Sequence, residues 1–118
     1  MATYATEPVL LGSQIKMAVN FAYQGTSTTL DDLDYAKLTY FSPISKTEGV
    51  VLMKSDLIRR ETTVGQKTTV EWFAIVDTSL VGKGQMKLRV EAEIPDDDVP
   101  ETGVRTEIDE CLTNVVIV

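Results

Sequence analysis

The chain contains no histidine and a single cysteine, and both shortages limit its chemistry. Histidine is the commonest general base, the commonest ligand of transition metals and the usual proton switch near neutral pH. A zinc site needs several cysteine or histidine ligands, and an internal disulfide needs a second cysteine. We therefore expect no enzymatic activity and no cofactor. We expect Cys111 to be a small buried filler rather than a nucleophile.

Long hydrophobic runs and basic charge are also scarce. The first thirteen residues contain one short apolar run, Val9-Leu10-Leu11, and no basic cluster, so we expect neither a signal peptide nor a membrane span. Eleven basic residues against 18 acidic ones give a net charge of -7, which opposes binding to nucleic acid or to an anionic membrane. The solitary cysteine fits synthesis in a reducing cytoplasm.

The clearest pattern that is present runs from Gln85 to Ile94, where apolar and polar residues alternate without a break. The apolar set is Met86, Leu88, Val90, Ala92 and Ile94. A period of two predicts a β-strand with one buried and one solvated face. Pro95 and the aspartates that follow it predict where the strand ends.

Similar short patterns recur along the chain, and no helical spacing is sustained over eleven residues. They predict strands at 15–22, 34–41, 50–53, 69–77, 85–94, 104–109 and 115–118. About seven strands at short intervals predict an all-β fold, namely an antiparallel β-sandwich, Ig-like or jelly-roll-like, with an open barrel as the second choice. A chain of 13.0 kDa forms one domain.

Three segments of the chain carry more specific predictions. The fully apolar run Val50–Met53 suits a strand covered on both faces. The segment Val64–Lys67 suits the tip of a hairpin. Phe73 and Ile75 lie on the nominally solvated face of the strand Thr69–Asp77, so this strand should be central in its sheet or should contact a partner.

The N-terminal residues 1–13 show no periodicity and predict an extended arm that precedes a domain at 14–118. Such a segment can be a disordered terminus. Its apolar residues favour an arm that binds a neighbouring protein through Tyr4, Val9, Leu10 and Leu11. Val115–Val118 would be an aggregation-prone edge if left bare, so we expect another subunit or the chain's own sheet to cover it.

Two further candidate sites are weaker. Asp96, Asp97 and Asp98 could coordinate calcium, which binds six to eight oxygen ligands, but consecutive aspartates are also typical of a turn. Tyr23 with Asn20 is a candidate for carbohydrate binding, because glycan sites pair exposed aromatics with polar side chains.

A set of strand and turn motifs extends over about Ile15 to Val118 and is densest in about the last fifty residues. It consists of Val76-Asp77-Thr78, Leu80, Gly82-Lys83-Gly84, Met86-Lys87-Leu88, the run from Ile94 to Pro100 and the run from Gly103 to Glu107, with Lys54 and Asp56-Leu57 upstream. In these motifs the chain resembles small virion-structural proteins of tailed phages and prophages of gut Bacteroidales. Similar stretches occur in capsid-auxiliary and head-fibre proteins and in the anchoring domain of baseplate upper proteins.

This resemblance implies a β-sandwich attachment module in a virion, made in the host cytoplasm. The arm and the absence of a fibre-forming region after Val118 favour a capsid decoration or auxiliary protein over a fibre. The expected role is a capsid-surface decoration or head-fibre-anchoring module, and a baseplate or tail component is the alternative. The expected partners are major capsid protein or fibre and baseplate subunits, bound in repeated copies. The expected contacts are the arm together with Phe73 and Ile75. A carbohydrate- or ligand-binding sandwich is the alternative from another class.

Overall fold

The computed structural model describes residues 7–19 and 30–118, and in these residues eight strands form two sheets that pack against each other. The strands are β1 (Glu7–Val9), β2 (Gln14–Val19), β3 (Tyr35–Phe41), β4 (Val50–Met53), β5 (Ile58–Val64), β6 (Lys67–Asp77), β7 (Gly84–Pro95) and β8 (Val104–Ile117). A one-turn helix, α1 (Thr78–Val81), joins the two sheets between β6 and β7, and short 3₁₀ turns lie at Leu30–Asp32 and Lys54–Asp56. The predicted all-β sandwich is confirmed.

The larger sheet has the strand order β1-β8-β7-β3-β4, and the smaller sheet has the order β2-β6-β5. The pairings are antiparallel except for β1, which runs parallel to β8. Parallel neighbours need a long connection, and here β1 and β8 come from opposite ends of the described chain.

The core lies between the sheets and follows the alternation seen in the sequence. In β7, Met86, Ala92 and Ile94 are completely buried, and Val90 is nearly so. Its neighbour β3 in the same sheet contributes Leu38 and Tyr40, and β6 of the facing sheet contributes Ala74 and Val76, in the same alternating manner. Each large side chain buried this way stabilises the fold by roughly 1.5–3 kcal/mol. The predicted faces of β3, β6 and β7 are therefore confirmed.

The C-terminal part differs from the prediction, since the two expected strands are one continuous strand, β8. The prediction ended one strand at Asp109 and began the next at Val115, with Thr113 and Asn114 between them. In the structure they form a bulge where β8 changes register against β7. The Gln85 side-chain amide donates to the Thr113 carbonyl (2.6 Å), and the Thr113 hydroxyl donates to the Met86 carbonyl (2.8 Å). These bonds let the strand continue through polar residues.

The prediction that β4 is covered on both faces is wrong. β4 is an edge strand of the larger sheet, and the face that carries Val51 is open, since half of the Val51 surface is exposed (50%). Val50 is buried on the opposite face. A run of four apolar residues cannot distinguish a central strand from an edge strand, because strand order is set by distant pairings.

The predicted hairpin between β5 and β6 and the central position of β6 are both confirmed. Val64 pairs with Lys67 across a two-residue turn formed by Gly65 and Gln66. Gly65 has a φ of 64°, which matches the first central position of a type II′ hairpin turn. β6 lies between β2 and β5, and the apolar residues on its outer face, Phe73 and Ile75, remain partly exposed.

Candidate functional site

The residues of the predicted arm divide among different environments. Val9 is half-buried in β1, where it pairs with Ile117 of β8. Leu10 and Leu11 follow β1 in a turn and are exposed (71% and 44%). Tyr4 lies outside the described residues. The described part of the arm is therefore attached to the chain's own sheet and presents two leucines to solvent.

Thr78, which is completely buried, fastens the turn after β1 to the start of α1. Its hydroxyl accepts a hydrogen bond from the Gly12 backbone N–H (2.9 Å) and donates one to the Ser13 carbonyl (2.7 Å). Its backbone N–H donates to the same carbonyl (3.0 Å). The position of Leu10 and Leu11 is consequently fixed by a buried polar contact between residues far apart in the sequence.

The last residues of β8 are hydrogen-bonded to β1 and to the turn that follows β1. The Leu11 N–H donates to the Val118 carbonyl (3.0 Å), and the Val118 N–H donates to the Val9 carbonyl (2.9 Å). The C-terminal run Val115–Val118 is therefore paired within the chain's own sheet, which is one of the two alternatives expected from the sequence.

Three other exposed apolar residues lie at this same end of the sandwich. Leu80 (54% exposed) is on α1, two residues after Thr78. Val118 (48%) is bonded to Leu11, and Ile44 (80%) lies beside Gly84, which pairs with Ile117. We call this set the apolar end; it consists of Leu10, Leu11, Ile44, Leu80 and Val118. Exposed apolar residues gathered in one place mark interaction surfaces, whereas scattered ones do not.

Sequence reasoning found the two leucines and the run that contains Val118, and it missed Ile44 and Leu80. Ile44 and Leu80 come from separate segments, so no local pattern connects them. Their one sequence signal is that each is a large apolar residue beside turn residues.

Phe73 and Ile75 lie on the outer face of the smaller sheet, as expected. The Phe73 ring is half-buried beneath two cations, since the Lys16 ammonium is 4.8 Å and the Arg60 guanidinium 5.4 Å from the ring centroid. Ile75 is more open (42% exposed) and lies three residues before Thr78, about 10 Å along the strand. Ile75 is thus near the apolar end, and Phe73 is farther from it.

The three consecutive aspartates form a turn at the opposite end of the sandwich. One Asp96 oxygen accepts from the Asp98 backbone N–H (2.9 Å), and the other accepts from Arg105 Nε (2.8 Å). Asp97 and Asp98 are exposed. Residues 7–19 and 30–118 contain no group of three carboxylate, cysteine or histidine side chains that could hold a metal ion. The hydrogen bonds of Asp96 are those of an aspartate that stabilises a turn.

Cys111 is exposed, which corrects the prediction of a buried filler. It pairs with Leu88 across β7 and β8, and therefore points to the side of the larger sheet that faces the smaller one. Five strands face three, so the larger sheet extends beyond the smaller one at β8. The same overhang carries Arg105 and Glu107, which are half-buried and bonded to each other.

A second surface feature, missed by the sequence analysis, is a depression beside Trp72, on the half of the molecule away from the apolar end. Arg59 forms one wall of the depression, and its side chain is held in place by two hydrogen bonds that it donates to the Asp31 carboxylate (2.9 and 3.1 Å). These bonds lower the pKa of Asp31, and a hydrogen bond from the Trp72 side chain lowers it further. Asn20 and Tyr23, the candidates for carbohydrate binding from the sequence, lie outside the described residues.

No protein-family model matches the chain, and no curated protein and no solved structure matches it either. In the part of the chain that the structure describes, no helix is long and apolar enough to cross a membrane.

Proposed function

We propose that the protein is a structural component of a tailed-phage virion that attaches to the capsid surface through its apolar end. It acts as an auxiliary or decoration protein, or as an anchor for a head fibre. Two things support this proposal: the resemblance of 76–107 to virion-structural proteins, and the concentration of exposed apolar side chains at one end. The partner is major capsid protein, bound in repeated copies.

The observation that carries the proposal is the apolar end itself. Leu10, Ile44 and Leu80 are each more than half exposed although they are large and apolar. Burying one such side chain in an interface is worth roughly 1.5–3 kcal/mol. Several together supply the apolar centre that a stable protein–protein contact needs.

The apolar end is also held in a fixed shape, which reduces the entropy lost on binding. Thr78 fixes the turn that carries Leu10, and β1 and Val118 are bonded to each other. On the other side, the Ser42 hydroxyl donates to the Lys83 carbonyl (2.7 Å) and the Thr47 hydroxyl to the Val81 carbonyl (2.6 Å), which fasten the loop that carries Ile44.

A baseplate or tail position is the second candidate within the same class. Both assignments use the same contact surface, and they differ in which virion protein covers it. Immunogold labelling of intact virions distinguishes them by where the label appears.

The test is a double substitution, Leu10→Glu with Leu80→Glu, in a co-sedimentation assay with capsids assembled without this protein. We expect the affinity for capsids to fall at least a hundredfold, because two apolar contacts of at least 1.4 kcal/mol each are lost and charge is placed in the interface. The matched control is Val64→Glu, since Val64 is equally apolar and exposed (76%) but lies at the hairpin tip, away from the apolar end.

Full occupancy by the double variant would overturn the assignment of the apolar end. Loss of binding by the Val64 variant would show that the hairpin, and not the apolar end, makes the contact. Truncation should stop at residue 6, because removing residues 1–12 deletes β1 and the partner of the Thr78 hydroxyl and therefore changes the fold as well as the surface.

A further inference from the structure

The depression beside Trp72 has the dimensions and lining of a small-molecule site. It is open to solvent and has a volume of about 430 Å³, within the range of about 300–1,000 Å³ that is usual for ligand pockets. Its lining consists of Asp34, Lys54, Ser55, Leu57, Arg59 and Trp72. A flat aromatic surface therefore lies beside two cations, one carboxylate and one hydroxyl.

The polar groups of the depression are held in place by bonds within the protein. Lys54 Nζ donates to the Leu33 carbonyl (2.5 Å), and Arg59 is bonded to Asp31 and to Glu61 (3.1 Å). An ammonium group has three N–H donors and a guanidinium has five, so the bonds described in 30–118 leave donors on both groups. Groups fixed in advance bind a ligand with less loss of side-chain entropy.

The aromatic wall is the indole of Trp72, which is half-buried against the core and partly open to the depression. The Lys54 ammonium lies 5.7 Å from the centroid of this ring. The open part of the indole offers an apolar surface, which suits a ligand that has one apolar face.

We propose that this depression binds a carboxylate-bearing sugar, such as a uronic acid residue of a polysaccharide. The apolar face of the pyranose ring stacks on Trp72, and the sugar carboxylate accepts from Lys54 and from the donors that remain on Arg59. Asp34 and Ser55 bind the ring hydroxyls. Trp72, with the residues around it, is thus a ligand-binding residue and not merely part of the core.

The charges favour a singly charged sugar over a polyphosphate or a nucleotide. Asp34 lines the depression, and Asp31 and Glu61 are both bonded to Arg59, so three carboxylates stand beside the two cations and the local charge is slightly negative. The chain as a whole has a net charge of -7, which opposes ligands with several negative charges. A carboxylate with several hydroxyls makes use of both the donors and the acceptors that are present.

The test uses the fluorescence of Trp72, which is the chain's single tryptophan and therefore reports directly on this site. The full chain is titrated with trigalacturonic acid, with maltotriose as the neutral sugar and with AMP as the nucleotide. We expect a saturable change in emission with trigalacturonic acid and an affinity for it at least tenfold above that for either comparison ligand.

Two variants separate ligand binding from a structural role. Lys54→Met should weaken binding of trigalacturonic acid about tenfold, because a charge-assisted hydrogen bond is lost. Lys67→Met is the matched control, since it removes the same charge from the exposed hairpin turn and should leave binding unchanged. Thermal melts of both variants show whether the fold is intact.

The proposal is overturned if no ligand alters the emission, if maltotriose or AMP binds as tightly as trigalacturonic acid, or if Lys67→Met weakens binding as much as Lys54→Met. It does not depend on the proposed capsid attachment. Substitutions at the apolar end leave this titration unchanged, so failure of one proposal is distinguishable from failure of the other.

Discussion

Replacing Thr78 by valine tests how the turn after β1 is fixed to the sandwich. The substitution preserves the shape of the side chain and removes its hydroxyl. The Gly12 N–H then loses its acceptor, and the Ser13 carbonyl keeps the bond from the Thr78 backbone N–H but loses the one from the hydroxyl. The change is thus confined to two hydrogen bonds at a completely buried position.

The expected cost is about 2–3 kcal/mol. Each lost hydrogen bond contributes roughly 0.5–1.5 kcal/mol net, and a donor left without a partner adds about 1 kcal/mol or more of desolvation. The Gly12 N–H is partly buried, so the lower part of that range applies to it. For a domain of this size the loss corresponds to a decrease in Tm of roughly 8–12 °C.

Urea unfolding followed by tryptophan fluorescence measures this cost. We expect the midpoint to decrease and the slope m to stay the same, because the surface exposed on unfolding does not change. Thr78→Ser retains the hydroxyl and should cost about 1 kcal/mol, the value for a lost buried methyl group. A valine variant within 0.5 kcal/mol of the natural protein, or one more stable than the serine variant, would refute the reasoning.

Two further predictions concern backbone strain and alkaline pH. Gly82→Ala should destabilise the fold by about 2–4 kcal/mol, since Gly82 has a φ of 88° and an added Cβ would lie 2.0 Å from the Ser45 hydroxyl. Gly65→Ala, at a φ of 64° but with open space around it, should cost about 1 kcal/mol in the same urea assay; equal costs would contradict the steric argument. Burial, with a smaller contribution from Cys111, raises the pKa of Tyr40 from 10.0 to about 12. The folded state therefore keeps its phenolic proton more tightly than the unfolded chain does, and its stability should fall as the pH rises from 10 towards 12. Tyr40→Phe should flatten this dependence in pH-jump melts, and an unchanged slope would exclude Tyr40 as its origin.

The faces of the strands could be predicted from the sequence, since each face depends on a local period of two. Met86, Ala92 and Ile94 are buried because every second residue of a strand points to the same side. The hairpin at Gly65 could also be predicted locally, because a two-residue turn needs a residue that tolerates a positive φ and the sequence has glycine there.

The candidate sites could be predicted only in part. Leu10 and Leu11 stand out as apolar residues in a segment without periodicity. Leu80 does not stand out, because it is a single apolar residue after a strand. Its place at the apolar end depends on the hydrogen bonds of Thr78, which hold α1 against the turn after β1. The alternation of β6 places Trp72 on the inward face, so the sequence indicates a core residue. Its partial exposure at the depression depends on the positions of Lys54 and Arg59, which only the tertiary structure sets.

Local alternation therefore determined that this protein is built of β-strands and which side chains of those strands face its core. Pairings between distant segments decided the rest: that β8 runs unbroken through a bulge, that Cys111 lies on an overhanging edge, and that five apolar residues meet at one end. The physical reason is that a strand's faces follow from its own sequence, whereas its neighbours, its edges and its ends are set by hydrogen bonds to strands that the local pattern does not identify.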